Sequence, residues 1–298
     1  MWQLQEKDES ALSTIMPIED TGTERKQPWL LHSLAVNALN FCSFAMCYIH
    51  SIIDFKAEGS SSSNTILVAT PGVQDGWINV TSFPSETRVA TISSPKDTNT
   101  GMVMTIGLFH KANELTVTAG YESGHAVVWQ QDRSSKVWDI KYMNKSHTQP
   151  VLSLDIMPDG KHFFTSSADA LIIRHPLLDR DSAEPKMLQS KHAGQQSLTV
   201  RSDGKIFGTA GWDGRMRVYS PKSMKELAVL KWHKEGCYAM SFALLEDSVT
   251  DLATGLEDNS SVARRESTVA EQRIEKAKST RWLAAGSKDG KVSLWDVY

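Results

Sequence analysis

Ala284-Ala-Gly-Ser-Lys-Asp-Gly-Lys-Val-Ser-Leu-Trp-Asp-Val-Tyr298 predicts two β-strands joined by a tight turn and closed by a Trp-Asp pair. Small and apolar residues suit the first strand, and Asp289-Gly290 supplies the positive φ angles of a hairpin turn. Val292 and Leu294 alternate with polar neighbours in the returning strand. A sheet unit of this kind cannot bury both faces alone, so copies of it are expected upstream.

The copies are present. His233-Lys-Glu-Gly-Cys237-Tyr-Ala-Met240-Ser-Phe242 shares its spacing with His147-Thr-Gln-Pro-Val151-Leu-Ser-Leu154-Asp-Ile156 and with His32-Ser-Leu-Ala-Val36-Asn-Ala-Leu39-Asn-Phe41. Val103, Ile106 and Leu108 repeat the apolar part without the histidine, and His192 opens a looser copy. The strand after each turn also recurs, as Val127-Val128-Trp129, Ile172-Ile173-Arg174-His175, Met216-Arg-Val-Tyr219 and Val292-Ser-Leu-Trp295. The step from Trp129 to His175 to Tyr219 is about 45 residues, the length of a four-stranded blade. The expected fold is therefore all-β, a β-propeller with blades at about 32–92, 102–142, 147–189, 192–230 and 233–298, preceded by remnant strands and a linker over 1–31.

In the first blade the expected strands are Val36–Phe41, Thr65–Thr70, Trp77–Phe83 and Arg88–Ile92. Two polar insertions interrupt the rhythm: Glu58-Gly-Ser-Ser-Ser-Ser-Asn64, and a longer one over 246–281 expected to be disordered or weakly helical. Both fall between the first and second strands of their blades, and so emerge on one face.

A net charge of −3 and a pI near 6.3 provide no basic field for direct nucleic-acid binding. Cys42, Cys47 and Cys237 are too few and too scattered for a disulfide framework or a zinc site, and read as reduced, buried thiols of an intracellular protein. Trp29 to Ile53 lacks charged residues and is long enough for a membrane helix, but His32 to Phe41 repeats a pattern found in plainly soluble sequence. Met1 opens no basic, then apolar, signal segment, so secretion is not expected. No nucleophile elbow, phosphate-cradling glycine loop, H-E-x-x-H or metal-spaced cysteine pair occurs, so no catalytic, cofactor or metal residues are assigned and no small-molecule substrate is expected.

The turns Asp75-Gly76-Trp77 and Gly211-Trp212-Asp213-Gly214 place tryptophans on the face that propellers offer to partners. Trp77, Trp212, Asp213 and Lys288 are the partner-facing candidates; a tryptophan there also serves as a wedge between blades. Arg264-Arg265-Glu266-Ser267 matches a basophilic kinase site, making Ser267 a candidate phosphosite.

Gln27-Pro-Trp-Leu-Leu-His-Ser-Leu-Ala-Val-Asn-Ala-Leu-Asn-Phe-Cys42, Leu227-Ala-Val-Leu-Lys-Trp-His-Lys-Glu-Gly-Cys-Tyr-Ala239 and the Ala284 to Tyr298 terminus resemble the fungal ASTRA-associated protein 1 family, WD-repeat proteins related to the G protein β-subunit-like protein of animals. The resemblance covers essentially the whole chain. It implies a seven-bladed propeller with two blades' worth of sequence before the point matching Trp2, hence an N-terminally truncated form here. Met1-Trp2-Gln3-Leu4 then reads as the end of a third strand and Ala11 to Pro17 as a fourth. The expected form is an open arc, or a strained closure that uses Leu12 to Met16 as the missing strand of the last blade.

The resemblance also implies a nuclear, non-enzymatic subunit of the ASTRA assembly, linked to chromatin remodelling and to maturation of phosphatidylinositol 3-kinase-related kinases, with protein partners and no membrane. A cytoplasmic Gβ-like signalling adaptor is the alternative, and a propeller enzyme a remote one. In WD-repeat proteins a histidine before the first strand joins a buried hydrogen-bond chain, and in the last blade the matching set is His233, Ser287, Asp289 and Trp295. Elsewhere the set is degraded: Ser167 and Asp169 are followed by His175 in place of tryptophan, Gly211 and Asp213 by Tyr219, and Ser123 stands at the Asp place before Trp129. Those blades are expected to lean on apolar packing.

Overall fold

Alternating small, apolar and hydroxyl-bearing residues punctuated by tight turns produce strands in nearly every described part of the chain. The computed structural model describes residues 2–3, 29–37, 40–49, 65–111, 114–177, 184–244 and 268–297. β1 (Trp2–Gln3) pairs antiparallel with β2 (Trp29–Leu30). The first blade is β3 (Ala45–Tyr48), β4 (Ile66–Pro71), β5 (Ile78–Phe83) and β6 (Thr87–Ile92). The second is β7 (Val103–Lys111), β8 (Glu114–Tyr121), β9 (His125–Gln131) and β10 (Trp138–Lys145). The third comprises β11 (Val151–Ile156), β12 (His162–Ser167), β13 (Leu171–Pro176) and β14 (Lys186–Gln189), and the fourth β15 (Gln195–Val200), β16 (Phe207–Gly211), β17 (Arg215–Tyr219) and β18 (Glu226–Lys231). The last holds β19 (Cys237–Phe242), β20 (Trp282–Ser287) and β21 (Val292–Asp296), preceded at β20 by helix α1 (Val269–Ser279).

Every sheet is an antiparallel meander in chain order, and the first strands pack in succession, β3 on β7, β7 on β11, β11 on β15 and β15 on β19. This is an all-β propeller architecture. Apolar seams hold neighbouring blades together. Ala69, Val80, Val103 and Trp129 share the seam between the first two; Val128, Phe163 and Leu177 join the second to the third. Phe164, Phe207 and Tyr219 stack at 4.4 and 5.1 Å between the third and fourth. Met216, Cys237, Met240 and Leu283 fill the last seam. Burying one such side chain contributes roughly 1.5–3 kcal/mol, which makes these seams the main source of cohesion.

One irregularity recurs. The pairing slips by one residue between Val103 and Thr105, Val151 and Ser153, Gln195 and Ser197, and Cys237 and Ala239, so the first strands of four blades carry a bulge at the same place. The residue before each bulge is buried, and the bulged residue is turned out of the ladder.

One expectation is corrected, and a second gains detail in its described part. The first strand of the first blade is Ala45–Tyr48, not Val36–Phe41, whose described residues are not strand and whose Phe41 is 70% exposed. Asn40 accepts a hydrogen bond from the Cys42 amide, turning the chain, and Ala45 and Cys47 then pair with Ala69 and Leu67 of β4 against the core. The expected disordered or weakly helical insertion over 246–281 ends in a formed helix. Ala, Gln, Lys and Arg favour α1, its last turn is basic, and the Trp282 indole N–H donates to Ala277 O at 2.9 Å. Residues 245–267, Leu12 to Met16 and Ser267 lie outside the described ones. No helix among the described residues is long and apolar enough to cross a membrane, and in the uncharged stretch after Trp29 those residues form short strands and turns.

Candidate functional site

Polar side chains converge at the end of the blades that carries the turns between second and third strands. In the last blade Gly290, at φ 75°, makes the tight turn that presents Asp289. His233 Nδ1 lies 3.2 Å from Asp289 Oδ2, and its Nε2 lies 2.9 Å from Ser293 Oγ, which also accepts the Trp295 indole N–H at 2.9 Å. A carboxylate only accepts, so Nδ1 carries the proton and Nε2 accepts from the serine. The hydrogen bond with His233 holds the Asp289 carboxyl below the usual range against partial desolvation.

The hydroxyl in this chain is Ser293, not Ser287. Ser287 Oγ instead donates toward Glu235 O and Gly236 O, both at 3.1 Å, clamping the turn to the preceding loop. The reason lies two residues earlier on β20, where Ala285 has no hydroxyl; Ser293, its direct partner on β21, supplies one from across the hairpin.

The third blade has a chain too, where a degraded set leaning on apolar packing was expected. Asp169 faces His147 Nδ1 at 3.1 Å, His147 Nε2 meets Thr165 Oγ1 at 2.8 Å, Thr165 meets His175 Nε2 at 2.8 Å, and His175 Nδ1 meets the Tyr142 hydroxyl at 2.9 Å. The carboxylate sets one direction throughout: both histidines are neutral, Thr165 donates to His147, and Tyr142 donates to His175. Burial drives the His175 imidazole down to about 3, with the neighbouring His147 adding to it, and burial lowers His147 against the pull of Asp169. A tryptophan at 175 ends such a chain with its one donor. Histidine has a second nitrogen, and through it the chain crosses to Tyr142 of the second blade.

The fourth blade uses a different device. Arg217, 1% exposed, donates to Asp213 at 2.6 and 3.2 Å, while His192 stands 3.8 Å from the same carboxylate. Asp213 feels partial burial, yet Arg217 holds it below the ordinary carboxylate range. Thr209 donates to Gln195 Oε1 at 2.6 Å where Thr165 of the third blade engages histidine.

Of the remaining candidates, Trp77 is half-buried with its Cβ against Gly72, and Asp213 is occupied by Arg217. Trp212 is 45% exposed, lies on the backbone of Gly194 and donates its indole N–H to Gln196 Oε1 at 2.9 Å. Lys288 is exposed, and its amide donates to Gly236 O at 2.9 Å. The structure thus brings Trp212, Asp213 and Lys288 to one end of the fourth and fifth blades, with Trp77 in the first. Thr165, His175, Tyr142, Ser293 and Arg217 were not selected from sequence. Counting back two residues from Ser167, Gly211 and Ser287 would have found Thr165, Thr209 and the missing hydroxyl at Ala285; Tyr142 and Arg217 leave no such signal.

Beside the first blade, a groove of about 540 Å³ is lined by Val36, Cys42, Phe44, Met46 and Val68 among others. Burial raises the Cys42 thiol to about 12 and the Cys237 thiol to about 11, so neither is a ready nucleophile.

The pattern of the family described as WD domain, G-beta repeat matches residues 138–173 and 275–296. The whole chain aligns with fungal proteins named ASTRA-associated protein 1. It is 43% identical over 307 residues to that of Verticillium alfalfae, covering 74% of the relative. It is 41% identical over 337 residues to that of Aspergillus flavus and 39% over 349 to that of Penicillium rubens, covering 79% of each.

Proposed function

The chain belongs to the ASTRA-associated protein 1 family of WD-repeat proteins, and from that premise we propose that it is a non-catalytic scaffold subunit of an ASTRA assembly. The whole-chain identity to proteins of that name carries the reading. In its finer form the protein works in the nucleus, in chromatin remodelling and in maturation of phosphatidylinositol 3-kinase-related kinases. A stiff stack of blades displays loops, and a few exposed anchors supply affinity.

The site chemistry supports a binding role. The histidines of the third and last blades are spent on internal bonds, and Asp213 on Arg217, so these groups brace the turns that a partner would touch. Trp212 and Lys288 are the partner-facing pair; Asp213 braces the same turn through Arg217, and Trp77 stands at the corresponding turn of the first blade. Ser267 would add negative charge to the sequence before α1 when phosphorylated.

Affinity capture of the tagged chain with mass spectrometry tests the assembly reading. Recovery of ASTRA subunits is expected. Heterotrimeric G-protein subunits in their place would refute it in favour of a cytoplasmic signalling adaptor.

A further inference from the structure

Four loops are stitched together at one end of the fourth and fifth blades. Trp212 N donates to Gly194 O at 3.0 Å, Gly236 sits against the Trp212 backbone, and Lys288 N donates to Gly236 O. A β-carbon on Gly194 would fall 2.1 Å from the Trp212 ring, so only glycine lets the indole lie there. Tyr238 is the bulged residue of β19, turned out of the ladder and 47% exposed, with its ring beside Gly236. Its counterpart at the bulge of β15, Gln196, holds the Trp212 indole N–H. The Tyr238 ring and the Trp212 backbone therefore flank Gly236 while the Trp212 ring lies over Gly194, so two exposed aromatic side chains stand on adjoining loops as a shelf.

The charge around this shelf is mostly positive. Lys191, Lys234 and Lys288 are exposed on three of these loops, and Lys291 lies 5.6 Å from the exposed Trp232 ring. Of the acidic groups at this end, Arg217 neutralises Asp213, Asp289 keeps its charge while bonded to the His233 ring, and Glu235 is exposed, so the four lysines outnumber the two remaining carboxylates. A chain of net charge −3 thus gathers positive charge beside exposed aromatic rings.

Resting on the scaffold reading above, we propose that the Trp212–Tyr238 shelf with Lys191, Lys234 and Lys288 binds an acidic segment of a partner protein, with one aromatic or aliphatic side chain of that segment lying on the two rings. The lysines complement the acidic flanks, and the rings bury the anchor. A short acidic peptide feels the local patch within a Debye length of about 8 Å, whereas a long polyanion also meets the negative remainder of the surface.

The test is fluorescence anisotropy with a labelled peptide of glutamates around a single phenylalanine, against the whole 298-residue chain. Parallel arms use the same peptide with glutamine for glutamate, with alanine for phenylalanine, and a single-stranded oligothymidine. The acidic peptide should bind about tenfold tighter than the glutamine version, with the difference shrinking as salt rises. A K191E/K234E/K288E variant, whose changes are all on the surface, should lose at least about tenfold while keeping its melting temperature; Tyr238→Ala should lose the preference for phenylalanine. Equal affinity for the acidic and glutamine peptides, or oligothymidine binding that the lysine reversal abolishes while the peptide does not bind, would overturn the inference. If wild type and the lysine variant capture ASTRA subunits equally, the assembly reading stands and this surface is not its means. If peptide binding holds and no ASTRA subunit is captured, the surface stands and the assembly reading falls.

Discussion

Tyr142→Phe removes one hydroxyl at the seam of the second and third blades and leaves the Nδ1 of His175 without its donor. His175 is 1% exposed and its other nitrogen is committed to Thr165, so the ring cannot turn to recover a partner. An unsatisfied buried acceptor costs about 1–3 kcal/mol, whereas Tyr→Phe at the 47% exposed Tyr238 should stay within about 0.5 kcal/mol. Hydrogen exchange reads the difference locally: amides of β12 and β13 should exchange roughly five- to 150-fold faster in Tyr142→Phe and be unchanged in Tyr238→Phe. In a cycle with His175→Leu the two losses should be strongly non-additive, because the second change removes the acceptor that the first orphans. Unchanged protection of β12 and β13, or additive losses, would show that the chain of hydrogen bonds does not cross the seam and that the reasoning is wrong.

Acidification should loosen the same seam. His175 and His147 are neutral in the fold with depressed values, so the unfolded chain binds more protons below about 6.5; stability is complete above that value and is lost as pH falls toward 3. For His175 alone the loss at pH 5 is about 2 kcal/mol, and a denaturation series over pH should show it flattened in His175→Leu. Ser293→Ala breaks the last-blade chain between His233 and Trp295 and should lower stability by about 1–2 kcal/mol, more than Ser287→Ala, since Ser287 sits at a turn nearer solvent. Arg217→Met leaves the Asp213 carboxylate without its main partner; because that carboxylate is partly exposed, about 2 kcal/mol is expected, read as a lower melting temperature with unchanged β-sheet circular dichroism. Iodoacetamide at pH 8 should label Cys42 and Cys237 only after denaturation, given thiols raised to about 12 and about 11 by burial.

Much of the architecture is legible in local pattern. The turn glycines and aspartates, the alternation after each turn and the apolar spacing before it locate the sheets, because these signals lie within one strand or one hairpin. The first blade shows where local reading fails. Two apolar runs, Val36 to Phe41 and Ala45 to Tyr48, compete for β4, and the choice depends on which one reaches the shared core with the second blade. The site behaved similarly: Asp289, His233 and Trp295 are readable at fixed offsets, while the hydroxyl that joins them came from the opposite strand.

By itself the amino-acid sequence determined that this is a succession of similar antiparallel sheets, since strand period and turn chemistry act over a few neighbouring residues. Only the tertiary structure decided which side chains join one sheet to the next. Tyr142 meeting His175, and Tyr238 turned out near Trp212, depend on contacts between residues far apart in the chain, and such contacts are set by packing of whole sheets rather than by any local propensity.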